Sequence, residues 1–337
     1  MDRAQMKIVI LDDYSNAFRG STAFARLKDH EVVVYRDTVK DAETLTARLR
    51  DADAVVITQE RSSLRREVIE KLPQLKLIAQ TGSHRSHIDI DVCTERGIAI
   101  TALNDGGGQS HSTVELTWAL ILSSLRHIGH EVEQLKRGVW QTSVGTGLRG
   151  KTLGVYALGN IGGKVAEIGK AFGMAVTCWG REPSREKARA AGYEVPESRE
   201  AFFAGADVLS LHILYRPDTR GIIKAADLAR MKPTALLVNT SRAGLIEEGA
   251  LVDALKKGRP GFAAIDVYEE EPVIGGAHPL LALPNALCTP HLGYAADYQF
   301  EGKYTGAVDG ILAFASGKPE NIINPQALRA LNGARLE

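Results

Sequence analysis

A chain of 337 residues holds roughly two domains of ordinary size, each able to bury its own core, which excludes a single small module. With 44% hydrophobic and 24% charged residues and 33 glycines, the composition is that of a folded globular protein rather than a disordered, collagenous or coiled-coil one. Lys plus Arg and Asp plus Glu both number 41, so zero net charge offers no bulk attraction to nucleic acid or an anionic membrane, and any anion binding must be local.

In chain order, apolar runs at residues 7–11, 32–35, 54–57, 77–79 and 98–100 read as five buried strands. Between them, residues 41–50, 64–72 and 90–96 carry apolar positions at helical spacing with charged outer faces. Alternating strand and helix predicts a parallel sheet covered on both sides. A longer helix follows over 112–128, with Val114, Trp118, Ile121, Leu122 and Leu125 on one side. The glycine-rich GTGLRGK stretch at 145–151 then breaks the pattern.

Six further strands are expected at 152–157, 175–179, 208–212, 236–240, 262–267 and 286–289. Helices at 163–172 and 247–257 lie among them, the second closed by Gly258. This alternation is what a doubly wound dinucleotide fold requires. The tail at 295–317 is helical again and is expected to return to the first domain. The predicted architecture is α/β: two doubly wound parallel-sheet domains, Rossmann-like or flavodoxin-like, with a cleft between them. Their expected limits are 1–101 plus 294–337 for the first and 102–293 for the second.

Cys93, Cys178 and Cys288 lie far apart and form neither a CxxC pair nor a disulfide framework, which suits a reducing cytoplasm. The N-terminus has no apolar core followed by a cleavage site, and no stretch approaches 18 apolar residues. A cytoplasmic protein without membrane association is the expectation.

The chemistry begins at the turn Ala157, Leu158, Gly159, Asn160, Ile161, Gly162, Gly163, between a strand and a helix. This is GxGxxG with alanine at its first glycine. A side chain at Gly159 would keep the backbone from a pyrophosphate, and Gly162 lets helix and strand pack closely. The helix N-terminus offers unpaired N–H groups to the anion. An NAD-selective fold places a carboxylate at the end of the next strand to accept from the ribose 2′-OH. Here that strand ends in Gly180 and Arg181, with Arg185 close by. A guanidinium suits a 2′-phosphate, so NADP(H) is favoured over NAD(H).

In a doubly wound sheet the ligand sits outside the carboxyl ends of the strands. Those ends deliver His212, then Thr240, Ser241 and Arg242, then Asp266, then His291. Four successive strands ending in such groups read together as a site.

With LGNIG, LHILYRPDTRGII, MKPTALLVNTSRAG, AAIDVYEEEP and CTPHLGY in view, the chain resembles the D-isomer-specific 2-hydroxyacid dehydrogenase family over nearly its whole length. That family includes phosphoglycerate, glyoxylate/hydroxypyruvate and D-lactate dehydrogenases. The resemblance implies hydride transfer between a nicotinamide and C2 of a small 2-keto or D-2-hydroxy acid, with Arg242, Glu271 and His291 as the catalytic set. It further implies cofactor contacts from Gly159, Asn160, Ile161, Gly162, Arg181, His212, Thr240, Ser241, Asp266 and Gly293, with Asp266 orienting the nicotinamide amide. Where the family usually reads SRG, Ala243 precedes Gly244 here.

Relatives commonly read GVGxDNID in the first domain, at a loop that receives the substrate carboxylate. This chain has Gly82, Ser83, His84, Arg85, Ser86, His87, so Gly82, Ser83 and His84 are the candidate substrate residues. The HxxH spacings at His84/His87 and His127/His130 lack a third ligand, and no metal is expected. Gln109 replaces the family's Asn in a hinge preceded by Gly106 to Gly108. A homodimer joined through the nucleotide-binding domain is expected, with the 112–128 helix supplying the interface. Two other readings stay open on this scaffold: a cofactor-sensing, corepressor-like binding protein, and phosphite or formate oxidation.

Overall fold

Runs of Val, Ile, Leu and Ala only three to five residues long are too short to be buried helices, and intervening amphipathic stretches make them pair in parallel. In the computed structural model, which describes residues 5–82, 85–102 and 111–329, the first elements are β1 (Lys7–Ile10), α1 (Ala17–Gly20), α2 (Thr22–Ala25), β2 (Glu31–Val34), α3 (Ala42–Leu49), β3 (Ala54–Ile57), α4 (Arg66–Ile69), β4 (Leu77–Gln80), α5 (Ile90–Glu95) and β5 (Ala99–Ala102). Then come α6 (His111–Leu125), α7 (Ile128–Lys136), β6 (Thr152–Tyr156), α8 (Asn160–Ala171), β7 (Ala175–Trp179), α9 (Glu182–Ala190), α10 (Arg199–Gly205), β8 (Val208–Leu211), α11 (Ala225–Arg230), β9 (Leu236–Asn239), α12 (Ala250–Lys256), β10 (Phe262–Ile265), β11 (Ala286–Cys288) and α13 (Asp297–Ala315). The chain divides into two compact units: Met1–Gly108 with Asp297–Glu337, and Gln109–Ala296.

The first unit is a five-stranded parallel sheet, ordered β2-β1-β3-β4-β5. Side chains alternate along each strand, so Val9, Val55, Ile57, Ile78 and Ile100 feed one core while Ile8, Ile10, Val56, Leu77 and Ala99 feed the other. The second face is covered partly by α13, whose Tyr304 meets Phe18 edge-on at 5.0 Å. Asp13 caps α1, accepting from the Ala17 and Phe18 N–H groups at 2.8 and 3.1 Å.

The second unit is a six-stranded parallel sheet ordered β11-β10-β9-β8-β6-β7. The strand order reverses at β6, which pairs with β7 on one side and β8 on the other, making the end of β6 the switch point where such sheets bind ligands.

The structure corrects several expected limits. The 112–128 helix ends at Leu125; His127 takes a left-handed φ of 52°, and the chain restarts as α7. Except for β7, each strand of the second unit stops one or two residues short of its expected end. The residues beyond it, Ala157, His212, Thr240, Asp266 and Thr289, leave the ladder and open the loops at the carboxyl ends of the strands. α9 was not anticipated because it buries only Ala188 and so shows almost no apolar stripe. Among the described residues no helix is long and apolar enough to cross a membrane.

Candidate active site

The turn after β6 is shaped for an anion. Gly159 is exposed and precedes α8 with no side chain capping the helix and no acidic residue in its first turn. A Cβ on Gly159 would meet nothing within 4 Å, whereas one on Gly162 would lie 2.2 Å from the Ala157 carbonyl oxygen. The first glycine faces open space and the second is required by the close packing of helix on strand. The N–H groups of the first turn, which a helix leaves without partners inside itself, and the positive end of a twelve-residue helix converge there. Asn160 begins the helix, exposed, and Ile161 is half-buried against the core. This cradle fits the pyrophosphate of a dinucleotide.

His291 follows β11 with a left-handed φ of 52°. Three contacts hold it so: its own N–H donates to Thr289 O (3.0 Å), and Leu292 and Gly293 donate their N–H groups to the Asp266 carboxylate at 2.7 and 2.8 Å. Thr289 Oγ1 donates to the same carboxylate at 2.6 Å. Asp266 is fully buried, and that burial pushes its carboxyl up from the ordinary range against the pull of these donors and of nearby His291. Asp266 thus anchors the loop that aims His291.

The imidazole of His291 places Nδ1 2.6 Å from Glu271 Oε2. A carboxylate only accepts, so Nδ1 carries the proton toward Glu271 and Nε2 is the ring nitrogen that Glu271 does not engage. Glu271 is itself set by the Tyr268 N–H, which donates to Oε1 at 2.9 Å, while Tyr268 donates its hydroxyl to Thr289 O at 2.9 Å.

Arg242 leaves β9 on a loop fixed by buried Asn239, whose side chain accepts from the Ser241 N–H (3.0 Å) and donates to Arg242 O (2.9 Å). Ser241 Oγ donates to Ile213 O at 2.8 Å, tying this loop to the one after β8. The Arg242 side chain lines a cavity of about 570 Å³ with Tyr215, Arg220, Glu247, Tyr268 and Glu269. A Cβ at Gly244 would lie 2.8 Å from the Tyr215 ring, so a side chain there would displace that ring from the cavity wall.

His212, expected at the cofactor, turns its Nε2 to Ser210 Oγ at 2.9 Å, and burial lowers its pKa to about 4, leaving a neutral imidazole. Thr240 is buried with Oγ1 2.9 Å from Thr117 Oγ1. Arg181 is exposed and ion-paired with Asp218. Gly82 lies in the first unit, just past β4 and beside Gln59 and Gln80; Ser83, His84 and the hinge residue Gln109 fall outside the described residues.

Sequence reasoning missed the residues that hold this site. Asn239, Tyr268 and Thr289 act through one or two hydrogen bonds each. α6 was expected to supply a dimer interface, yet its Ser112 and Thr113 donate to Gly293 O at 2.9 and 2.8 Å. The available signal was the polar run of Ser112, Thr113 and Thr117 on an otherwise apolar helix. Among the described residues no group of three His, Cys, Asp or Glu is placed to hold a metal.

A parallel sheet with an anion cradle at its switch point and a histidine–carboxylate pair three and four strand-ends away has the architecture of a dinucleotide-dependent oxidoreductase, and comparison with known proteins gives the family. A family model described as D-isomer specific 2-hydroxyacid dehydrogenase, NAD binding domain, matches residues 118–293. The chain is 36% identical over 297 residues to a glyoxylate reductase of Aeropyrum pernix, covering 85% of this chain and 87% of that protein. It is 38% identical over 285 residues to a D-3-phosphoglycerate dehydrogenase of Methanocaldococcus jannaschii, covering 84% of this chain but only 53% of the relative. Among solved structures, a phosphoglycerate oxidoreductase of Vibrio cholerae superposes with a TM-score of 0.88 at 43% identity, over 93% of this chain and all of that one. The chain belongs to the D-isomer specific 2-hydroxyacid dehydrogenase family and is an NAD-dependent oxidoreductase of 2-hydroxy and 2-keto acids.

Proposed function

We propose that this chain interconverts a small 2-keto acid and its D-2-hydroxy acid with His291 as general acid/base. One observation carries the reading: the 2.6 Å contact between His291 Nδ1 and Glu271 Oε2, which leaves Nε2 to handle the proton. When bound, the dinucleotide supplies or receives the hydride at C2. His291 gives a proton from Nε2 to the C2 oxygen as the ketone is reduced and takes it back in the reverse direction. Glu271 stabilises the imidazolium that must be present before reduction. Arg242 binds the substrate carboxylate and polarises the carbonyl.

Gly159, Asn160, Ile161 and Gly162 are assigned to the pyrophosphate, Thr240, Ser241 and Gly293 to the nicotinamide end, and Asp266 to holding the His291 loop and the amide. Gly82, Ser83 and His84 are assigned to the substrate carboxylate, making the first unit the substrate-binding lobe and the second the dinucleotide lobe. Arg181, standing where the canonical carboxylate is missing, favours NADP(H). His212 supports the loop after β8 through its bond to Ser210 rather than by charge. Localisation in the cytoplasm is consistent with this chemistry.

The protein is further assigned as a homodimer, but not through the helix first expected: Val114, Trp118, Ile121 and Leu125 of α6 are buried within their own unit. The exposed apolar face comes just after it, on α7 and the segment that follows, with Ile128, Val132, Leu135, Trp140 (81% exposed) and Val144 (91%). Both signs of charge flank it, including Glu131, Glu133 and Lys136. That is the self-complementary pattern a two-fold interface between identical chains needs.

The reading is tested by following absorbance at 340 nm over a panel of 2-keto acids with NADH and NADPH. His291→Ala should lower kcat at least about a hundredfold while binding of ADP is unchanged. A near-wild-type rate in that variant rejects the assignment.

A further inference from the structure

Two arginines follow β7, at the strand end where a dinucleotide fold places the residue that reads the ribose 2′ position, and they are not equivalent. Arg185 is committed locally: its guanidinium lies 5.1 Å over the Trp179 ring and pairs with Glu182 at 2.6 Å, one helical turn away. Arg181, at the start of α9, takes its partner from another element altogether. Asp218 stands on the short turn Pro217–Thr219 beyond β8 and pairs with the Arg181 guanidinium. β7 and β8 flank β6 on opposite sides, so this pair links the segments leaving the two strands on either side of the glycine turn.

The Asp218 turn is stiff. Thr219 Oγ1 accepts from the Arg216 N–H at 2.7 Å and donates to Leu214 O at 2.8 Å, which fixes the backbone on both sides of Asp218. Both partners are nonetheless open to solvent, Arg181 at 65% and Asp218 at 59% of the side chain, so a solute can reach them. An exposed pair of this kind is weak and exchangeable.

We propose that Asp218 is a specificity-determining residue for the cofactor's 2′ position, because it competes with a 2′-phosphate for Arg181. Binding the phosphate exchanges one anion for another on the same guanidinium and brings the phosphate up to the displaced carboxylate. Both effects penalise the phosphorylated ribose. A ribose bearing a free 2′-OH leaves the pair intact and meets a hydrogen-bond acceptor, the function of the carboxylate absent from the end of β7. The charge balance at this corner, rather than Arg181 alone, sets cofactor choice. The inference rests on reading the glycine turn as the dinucleotide cradle.

Calorimetric titration with ADP and 2′,5′-ADP isolates the 2′-phosphate without turnover. Asp218→Asn is expected to raise the ratio of affinities, 2′,5′-ADP over ADP, by about tenfold, and the NADPH over NADH ratio of kcat/KM should move with it. In the Arg181→Gln background the same change should have a clearly smaller effect, since the competition for that guanidinium is gone and only the repulsion between carboxylate and phosphate remains. An unchanged ratio in Asp218→Asn, or an equal shift with Arg181 absent, overturns the proposal. A wild-type protein that prefers ADP and gains 2′,5′-ADP affinity on Asp218→Asn refutes the NADP(H) preference but upholds the role of Asp218. Failure of both nucleotides to bind refutes the cradle and the proposal together.

Discussion

His212 shows how a residue at a strand end can also serve the scaffold. A histidine at a strand end near a cofactor cradle reads as a ligand contact in sequence, but its ring faces Ser210 and burial lowers its pKa to about 4 from an ordinary 6.5. The unfolded chain then binds a proton that the folded one does not as pH falls between those values. Stability is fully present above about pH 6.5, is lost as pH drops toward 4, and is flat below, the loss being on the order of 3 kcal/mol. Thermal melts from pH 7.5 to 4.5 should show this slope in the wild type and a shallower one in His212→Gln; parallel curves refute it. His291 is the contrasting case. Its residue type and setting in TPH were legible, whereas the left-handed backbone and the Asp266 anchor that aim it depend on contacts 25 residues and more apart in the chain, Leu292 and Gly293 to Asp266.

At the scale of elements, the strand–turn–helix around Ala157 was visible in the spacing of glycines, and its strain was not. Ala157 takes φ 74°, a conformation that costs an L-residue about 1–2 kcal/mol. It is held there because its N–H donates to Trp179 O at 2.7 Å and its carbonyl sits under Gly162. Ala157→Gly should therefore raise stability to urea by about 1 kcal/mol, the relief exceeding the added chain entropy of glycine. A fall in the denaturation midpoint would contradict this. α6 carries the same lesson: its apolar periodicity predicted a helix, while the use of Ser112 and Thr113 to grip Gly293 could not be read from a stretch whose partner lies some 180 residues away.

At the scale of the whole molecule, balanced charge leaves association to apolar surface, and that surface is concentrated on α7 and the segment after it. Glu131 binds this segment back to the helix: Ser143 and Thr142 donate their hydroxyls to it at 2.5 and 2.9 Å, and these bonds lower its pKa to about 2. The apolar face is thus presented in a fixed shape. Sedimentation of the wild type should give twice the 36.4 kDa chain mass, and Leu135→Asp with Trp140→Ser should give a single chain that keeps its fold by circular dichroism. A wild type sedimenting as a single chain would sink the dimer. The sequence by itself determined the parallel α/β architecture and the glycine turn between β6 and α8, because these follow from local periodicity and glycine spacing, and it pointed to Arg242, Glu271 and His291 only through the family resemblance. Only the tertiary structure decided which strand end faces which. That pairing brought Asp218 to Arg181, turned His212 toward Ser210 and moved the exposed apolar face from α6 to α7, since each outcome depends on side chains that packing alone makes neighbours.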